Sequence, residues 1–135
     1  MSKKDTLDLS TPIFVTGIGT DVGKTIVSAI LCEWLNANYW KPVQSGDPDG
    51  GDSKTLKKLV THCSFEIYKE AYRFDAPLSP HAAAQLEGKE IDADSLVIPE
   101  SRKPLVIEGA GGLIVPLNYR NETICDLIIN LKTQV

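Results

Sequence analysis

Cysteine and long apolar runs are both scarce in this chain, and each scarcity removes a class of protein. Its 135 residues hold three cysteines, Cys32, Cys63 and Cys125, odd in number, widely spaced and without a C-x-x-C pair. They read as reduced, mostly buried thiols of a cytoplasmic protein, and none has an obvious base nearby in sequence. No apolar run approaches the roughly 20 residues needed to span a bilayer. The start, Met1-Ser2-Lys3-Lys4-Asp5, lacks the apolar stretch of a signal peptide. No basic stripe is present, and a net charge of -4 argues against a nucleic-acid or anionic-membrane partner. Internal repeats and low-complexity segments are also lacking.

What remains is an ordinary globular composition, 42% hydrophobic and 24% charged, sufficient for one domain over residues 1–135 with a real core. One stretch organises it: Ile13-Phe14-Val15-Thr16-Gly17-Ile18-Gly19-Thr20-Asp21-Val22-Gly23-Lys24-Thr25. An apolar strand runs into a glycine loop and then into the first turn of a helix. Backbone N–H groups in such a loop, together with the helix N-terminus, face an anion. Lys24 can reach the β- and γ-phosphates of a nucleotide, and the Thr25 hydroxyl can ligate Mg²⁺. The loop is one residue longer than the common G-x-x-x-x-G-K-[ST] spacing, counted from Gly17.

Along the chain, residues 1–11 read as polar and frayed. A helix is expected from about Thr25 to Asn36, with Val27, Ile30, Leu31, Trp34 and Leu35 as its core face. Tyr39 to Val43 reads as a short second strand limited by Pro42. Asp52 looks like the cap of a helix carrying Leu56, Leu59 and Val60. Residues 65–74 carry no clear pattern. Ser79 is placed to cap a short helix with Pro80 at its first position and Gly88 past its end. Residues 91–99 suggest another short helix. Leu105 to Glu108 is a strand, followed by the turn Gly109-Ala110-Gly111-Gly112. Thr123 is placed to cap a last helix with Ile124, Leu127, Ile128 and Leu131 on one face. Alternating strands and helices predict an α/β fold, a P-loop NTPase-like parallel sheet flanked by helices. The pattern stops at Val135 where a next strand would begin, so the C-terminal strands are expected to be missing from the chain.

Two carboxylates can join Thr25 on Mg²⁺, which takes oxygen ligands and keeps several waters. Glu108 ends a buried strand, where ligands bind in open α/β sheets. Asp52 is either a second metal ligand or a plain helix cap. Lys41, at the end of the second strand, either approaches Lys24 and a γ-phosphate, stabilising charge in transfer, or is a solvated edge lysine. Ser45 is a substrate contact or a turn residue. His81 reads as structural or loop-ordering, and His62 as a surface residue.

Four blocks together resemble the dethiobiotin synthetase family, the ATP-dependent carboxylases of biotin biosynthesis. They are Phe14-Val15-Thr16-Gly17 through Gly23-Lys24-Thr25; Lys41-Pro42-Val43-Gln44-Ser45-Gly46; Ala76-Pro77-Leu78-Ser79-Pro80-His81; and Val106-Ile107-Glu108-Gly109-Ala110-Gly111-Gly112 with Pro116-Leu117. They occur in the family's order and span nearly the whole chain. The resemblance implies carboxylation and ring closure of 7,8-diaminononanoate with CO₂ or bicarbonate, using ATP and Mg²⁺, through a carbamate and a carbamic-phosphoric anhydride. By position it implies that Asp21, Val22, Gly23, Lys24, Thr25 and Ile26 wrap the phosphates. It also implies that Asp52, Glu108, Gly109, Ala110 and Gly111 border the nucleotide. Thr25, Asp52 and Glu108 would hold the metal, Lys41 would be catalytic and Ser45 would touch the diamine. A cytoplasmic homodimer is implied as well. Ile18-Gly19 replaces a more polar pair, and Asp21 stands where the family often has glutamate. Two rival readings are a cobyrinate-amidating relative and a ParA/MinD-like switch ATPase. The first normally carries a glutaminase domain, and the second places a lysine where this chain has Gly19.

Overall fold

A computed structural model describes residues 8–135. The expected frayed segment falls, for residues 1–7, outside the described residues. Residues 8–11 form a turn in which Asp8 accepts hydrogen bonds from Ser10 and Thr11. Gln134 Nε2 donates to the Thr11 carbonyl at 2.8 Å, so this part is pinned down.

The chain runs β1 (Ile13–Val15), α1 (Lys24–Leu35), β2 (Asn38–Trp40), β3 (Val43–Ser45), α2 (Gly51–Leu59), β4 (Ile67–Tyr68), β5 (Tyr72–Phe74), α3 (Pro80–Leu86), a 3₁₀ turn (Ala93–Ser95), β6 (Leu105–Glu108) and α4 (Ile124–Leu131). Four strands make a parallel sheet in the order β1-β6-β2-β4. Strands β3 and β5 pair in parallel as a second, small sheet. Gln134 adds a parallel bridge to Ile13 on the other side of β1. The fold is the α/β arrangement of P-loop NTPases, a parallel sheet covered on both faces. Buried strands such as Leu105-Val106-Ile107-Glu108, apolar on both faces until the final glutamate, are what such a sheet requires.

The two faces carry separate cores. One packs Val15, Tyr39 and Val106 against α1 and α2 through Ala29, Cys32, Leu56 and Val60. The other packs Phe14, Trp40 and Ile107 against α3 and α4 through Ala83, Ala84, Ile124 and Leu127. Helix α4 begins as its sequence suggests: Thr123 and Asp126 form a reciprocal capping box.

Several expectations are corrected. Helix α1 does not turn Val27, Ile30 and Trp34 inward; they are 47%, 60% and 75% exposed. Its core side is made instead by Ser28, Ala29 and Cys32, with Leu31 and Leu35 partly buried, because small side chains let the helix lie close on the sheet. Leu59 is likewise exposed, while Leu56 and Val60 are buried. The single strand expected over Tyr39–Val43 is two strands in two sheets. Pro42 has no N–H to give a ladder, and its carbonyl accepts instead from Ala71 and Tyr72 N–H groups at 2.9 and 3.0 Å. The unpatterned residues 65–74 hold β4 and β5, and the helix suggested over 91–99 is only the 3₁₀ turn. Of the cysteines, Cys32 alone is buried; Cys63 is exposed and Cys125 is intermediate. His62 is half-buried, edge-on to Phe65, rather than a free surface residue. No helix among the described residues is long and apolar enough to cross a membrane.

Candidate functional site

The C-terminal ends of β1, β2 and β6 converge, and the loops that leave them build the site. After β1 the glycine loop turns into α1 through Gly23, whose φ of 99° is a conformation only glycine adopts freely. The second glycine turn, after β6, docks on this loop: Leu113 N–H donates to the Gly17 carbonyl at 2.8 Å. A Cβ on Gly112 would lie 2.6 Å from the Ile18 carbonyl oxygen, so the two loops touch backbone to backbone. Lys24, largely buried, donates from Nζ to the Gly19 carbonyl at 2.6 Å.

The charged residues named from the sequence meet here. Thr25 Oγ1 lies 2.8 Å from Asp52 Oδ1 and 3.0 Å from Glu108 Oε1. Lys41 Nζ contacts Asp52 Oδ2 directly and sits 3.6 Å from Glu108 Oε1. Lys41 is 5% exposed and Glu108 1%, so neither is a solvated edge charge. Asp52 is not the cap of its helix: Gly50 holds that position. Asp52 stands in the first turn of α2 and spends its carboxylate on Thr25 and Lys41.

Charge and burial act against each other in this cluster. Burial lowers the Lys24 ammonium pKa, and repulsion from Lys41 adds to the effect. Burial pushes the Asp52 carboxyl up, but the charge of Lys41 and hydrogen bonds from Lys41 and Thr25 hold it below its usual value. Cys32, under the cluster, is pushed up to about 12 by burial and by the Glu108 charge.

Two clefts adjoin at these residues. One, of about 270 Å³, is lined by Asp21, Gly23, Lys24, Thr25 and Ile26 of the glycine loop, and by Glu108. The other, of about 380 Å³, is lined by Gln44, Ser45 and Asp47 after β2, by Pro77–Pro80, and by Ala110 and Val115. Lys41, Asp52, Thr20 and Gly111 belong to both walls. Of the residues named from sequence, Val22 and Gly109 line neither cleft. Val22 is half-exposed, and Gly109 is packed on the Phe14 ring. Ser45 Oγ is buried without a hydrogen-bond partner. His81 packs edge-on to Tyr119, outside both clefts.

The donor set suits a hard divalent cation. Among the described residues no three His, Cys, Asp or Glu side chains gather as a metal cage. Mg²⁺ does not need one, since it uses one or two carboxylates and completes its shell with water and phosphate. Thr25 has a single hydroxyl proton for two carboxylates, so one of its two short contacts lacks a hydrogen between the oxygens. A cation bound to all three oxygens would resolve that contact.

The AAA domain family model matches residues 11–135. The chain belongs to this family. It is also 53% identical over 115 residues to the ATP-dependent dethiobiotin synthetase of Christiangramia forsetii, covering 85% of this chain and 55% of that protein. It is 45% identical over 127 residues to the enzyme of the same name from Rhodopseudomonas palustris, covering 94% and 59%. A bifunctional biotin biosynthesis protein of Bordetella avium matches at 50% over 124 residues, 91% of this chain and 26% of its own. The chain thus spans somewhat over half the length of the first two of these curated relatives.

Three contributors were not singled out from sequence. Tyr39 donates to Glu108 Oε2 at 2.9 Å. Gln44 donates from Nε2 to the Ser45 and Gly46 carbonyls and lies against Gly51. Gly112 permits the contact between the two glycine loops. Gln44 and Gly112 lie within motifs already noted; for Tyr39 nothing local points to the carboxylate it serves.

Proposed function

We propose that the protein catalyses ATP-dependent formation of dethiobiotin from 7,8-diaminononanoate and CO₂. The observation that carries this reading is the position of Lys41. It stands in the wall common to a phosphate-side cleft and a second cleft, ion-paired to Asp52 and close to Glu108. The likeness to enzymes named ATP-dependent dethiobiotin synthetase supports the choice of reaction.

In this reading the nucleotide phosphates lie along Asp21 and Gly23 to Ile26, with Gly111 bordering the nucleotide. The diamine lies in the second cleft against Ser45. One amine takes up CO₂ and loses a proton, giving a carbamate. A carbamate oxygen attacks the γ-phosphorus, the bond to the β-γ bridging oxygen breaks, and ADP leaves. The second amine then attacks the carbamoyl carbon, closing the cyclic urea and expelling phosphate. No protein nucleophile is required; the side chains position the reactants and neutralise charge. Lys41 faces the oxygens exchanging between the two clefts, and Lys24 faces the phosphates. Thr25, Asp52 and Glu108 would hold Mg²⁺, which supplies charge neutralisation on the phosphate oxygens. A homodimer belongs to the same proposal and is checked by light scattering.

The direct test is ADP release on mixing full-length protein, ATP, Mg²⁺, bicarbonate and 7,8-diaminononanoate, with each omitted in turn. Release that requires every component, with dethiobiotin as product, is expected. ADP release indifferent to the diamine would point to a switch ATPase and overturn the proposal.

A further inference from the structure

Glu108 is nearly inaccessible, yet it must present an oxygen to the cluster above it. Its two oxygens are used differently. Oε1 faces Thr25 at 3.0 Å and Lys41 at 3.6 Å. Oε2 accepts from the Tyr39 hydroxyl at 2.9 Å. Tyr39 itself is fully buried, within the core that α1 and α2 lay on the sheet.

The register explains how Tyr39 reaches this carboxylate. Tyr39 of β2 pairs with Val106 of β6. Glu108 lies two residues further along β6, about 6.6 Å at the usual strand rise, and its side chain leaves on the same face as Val106. A tyrosine ring laid along the strand covers that rise; the phenol oxygen is the only polar atom the side chain carries. That phenol oxygen stands within hydrogen-bond reach of Glu108 and serves it as a donor.

We propose that Tyr39 is a positioning residue: its hydroxyl clamps Glu108 Oε2 and so aims Oε1, alone, at the Thr25–Asp52–Lys41 cluster. This rests on the reading of Glu108 as a ligand of the divalent cation. A carboxylate free to rotate in that buried pocket would offer either oxygen, or both, and would lose the geometry a small octahedral ion demands. Partners that orient a ligand from behind typically contribute 10- to 100-fold to metal affinity.

The test compares wild type, Tyr39→Phe and Glu108→Gln as full-length proteins, measuring Mn²⁺ binding by electron paramagnetic resonance in the presence of ADP. ADP binding without metal and thermal melting are followed in parallel. Tyr39→Phe is expected to weaken Mn²⁺ binding by about 10- to 100-fold, with metal-free ADP binding unchanged. Combining it with Glu108→Gln should add little further loss. Replacing Tyr39 with 4-aminophenylalanine, which keeps the ring and supplies an N–H donor, should restore binding. Weakened Mn²⁺ binding in Glu108→Gln but not in Tyr39→Phe would overturn the positioning role while leaving Glu108 as a ligand. Failure of 4-aminophenylalanine to rescue would do the same. Mn²⁺ binding indifferent to Glu108→Gln would instead remove the ligand reading on which the inference stands.

Discussion

Replacing Lys41 with alanine tests the centre of the site through stability and activity at once. At an effective dielectric of about 20, the attraction between unit charges 3.6 Å apart is about 4–5 kcal/mol, and Lys41 makes such a contact with Glu108 and a closer one with Asp52. Most of that attraction offsets the cost of burying the ammonium. Deleting one partner, however, leaves the others buried and unpaired, which typically costs about 3–5 kcal/mol. The Asp52 side chain is 30% exposed and can regain some hydration, so the lower end, about 3 kcal/mol, is expected. With about 2.1 cal/mol/K of unfolding entropy per residue over 135 residues, that is about 10 °C in Tm. The sign with pH follows from Asp52. Its folded pKa lies below its ordinary 3.8, so its stabilising contribution is present above that pH and is lost as pH falls through the folded value. Without Lys41, burial becomes the stronger influence and the folded pKa rises. The gap in Tm between the two proteins should therefore be widest near neutrality and close in acid. In the full-length protein, dethiobiotin formation should fall at least about 100-fold, with ATP binding largely retained. Calorimetry across pH and a product assay read both outcomes. A variant that melts like wild type at pH 7 and turns over normally would refute the reasoning.

Three other substitutions or treatments follow. Gly112→Ala must push the second glycine turn off the Ile18–Gly19 backbone. A loss of about 1–3 kcal/mol and weaker nucleotide binding are expected by melting and equilibrium titration. Cys32, buried and with its pKa near 12, should resist thiol reagents at pH 8 in the native protein, whereas exposed Cys63 reacts; peptide mapping after alkylation checks this. Trp34→Gln should change stability by no more than about 0.5 kcal/mol, because Trp34 lies outside the core; a large loss in denaturant melts would return it to the core side of α1.

Some of this was legible in the sequence because it is local. The glycine loop with Lys24 and Thr25, the apolar strand ending in Glu108, and the Thr123 cap each depend on spacing within a few residues. Their placement follows from strand–turn–helix geometry. Lys41 and Asp52 were legible only as alternatives, since a lysine at a strand end and an aspartate at a helix start each have an ordinary reading. It is the contact between them, across 11 positions, that decides against it. What the sequence concealed depends on register and on approach distance. The Tyr39–Glu108 bond spans 69 positions and exists because β2 and β6 are neighbours in a particular alignment. The inward face of α1 escapes the pattern for a related reason. Periodicity finds an apolar stripe, but the helix instead sits on its serine, alanine and cysteine, where it can approach closely.

The break at Lys41-Pro42 carries a mechanical corollary. Upstream of it the backbone is laced into the large sheet; downstream it joins the small one, which carries Ser45 at its edge. The dipeptide is thus a seam, and the ammonium is stitched into it. A tilt of the small sheet would pull on the Lys41 backbone, and so on the contacts its ammonium makes with Asp52 and Glu108. In the proposed reading, that would tie the second cleft to the phosphate-side cleft without a separate lever.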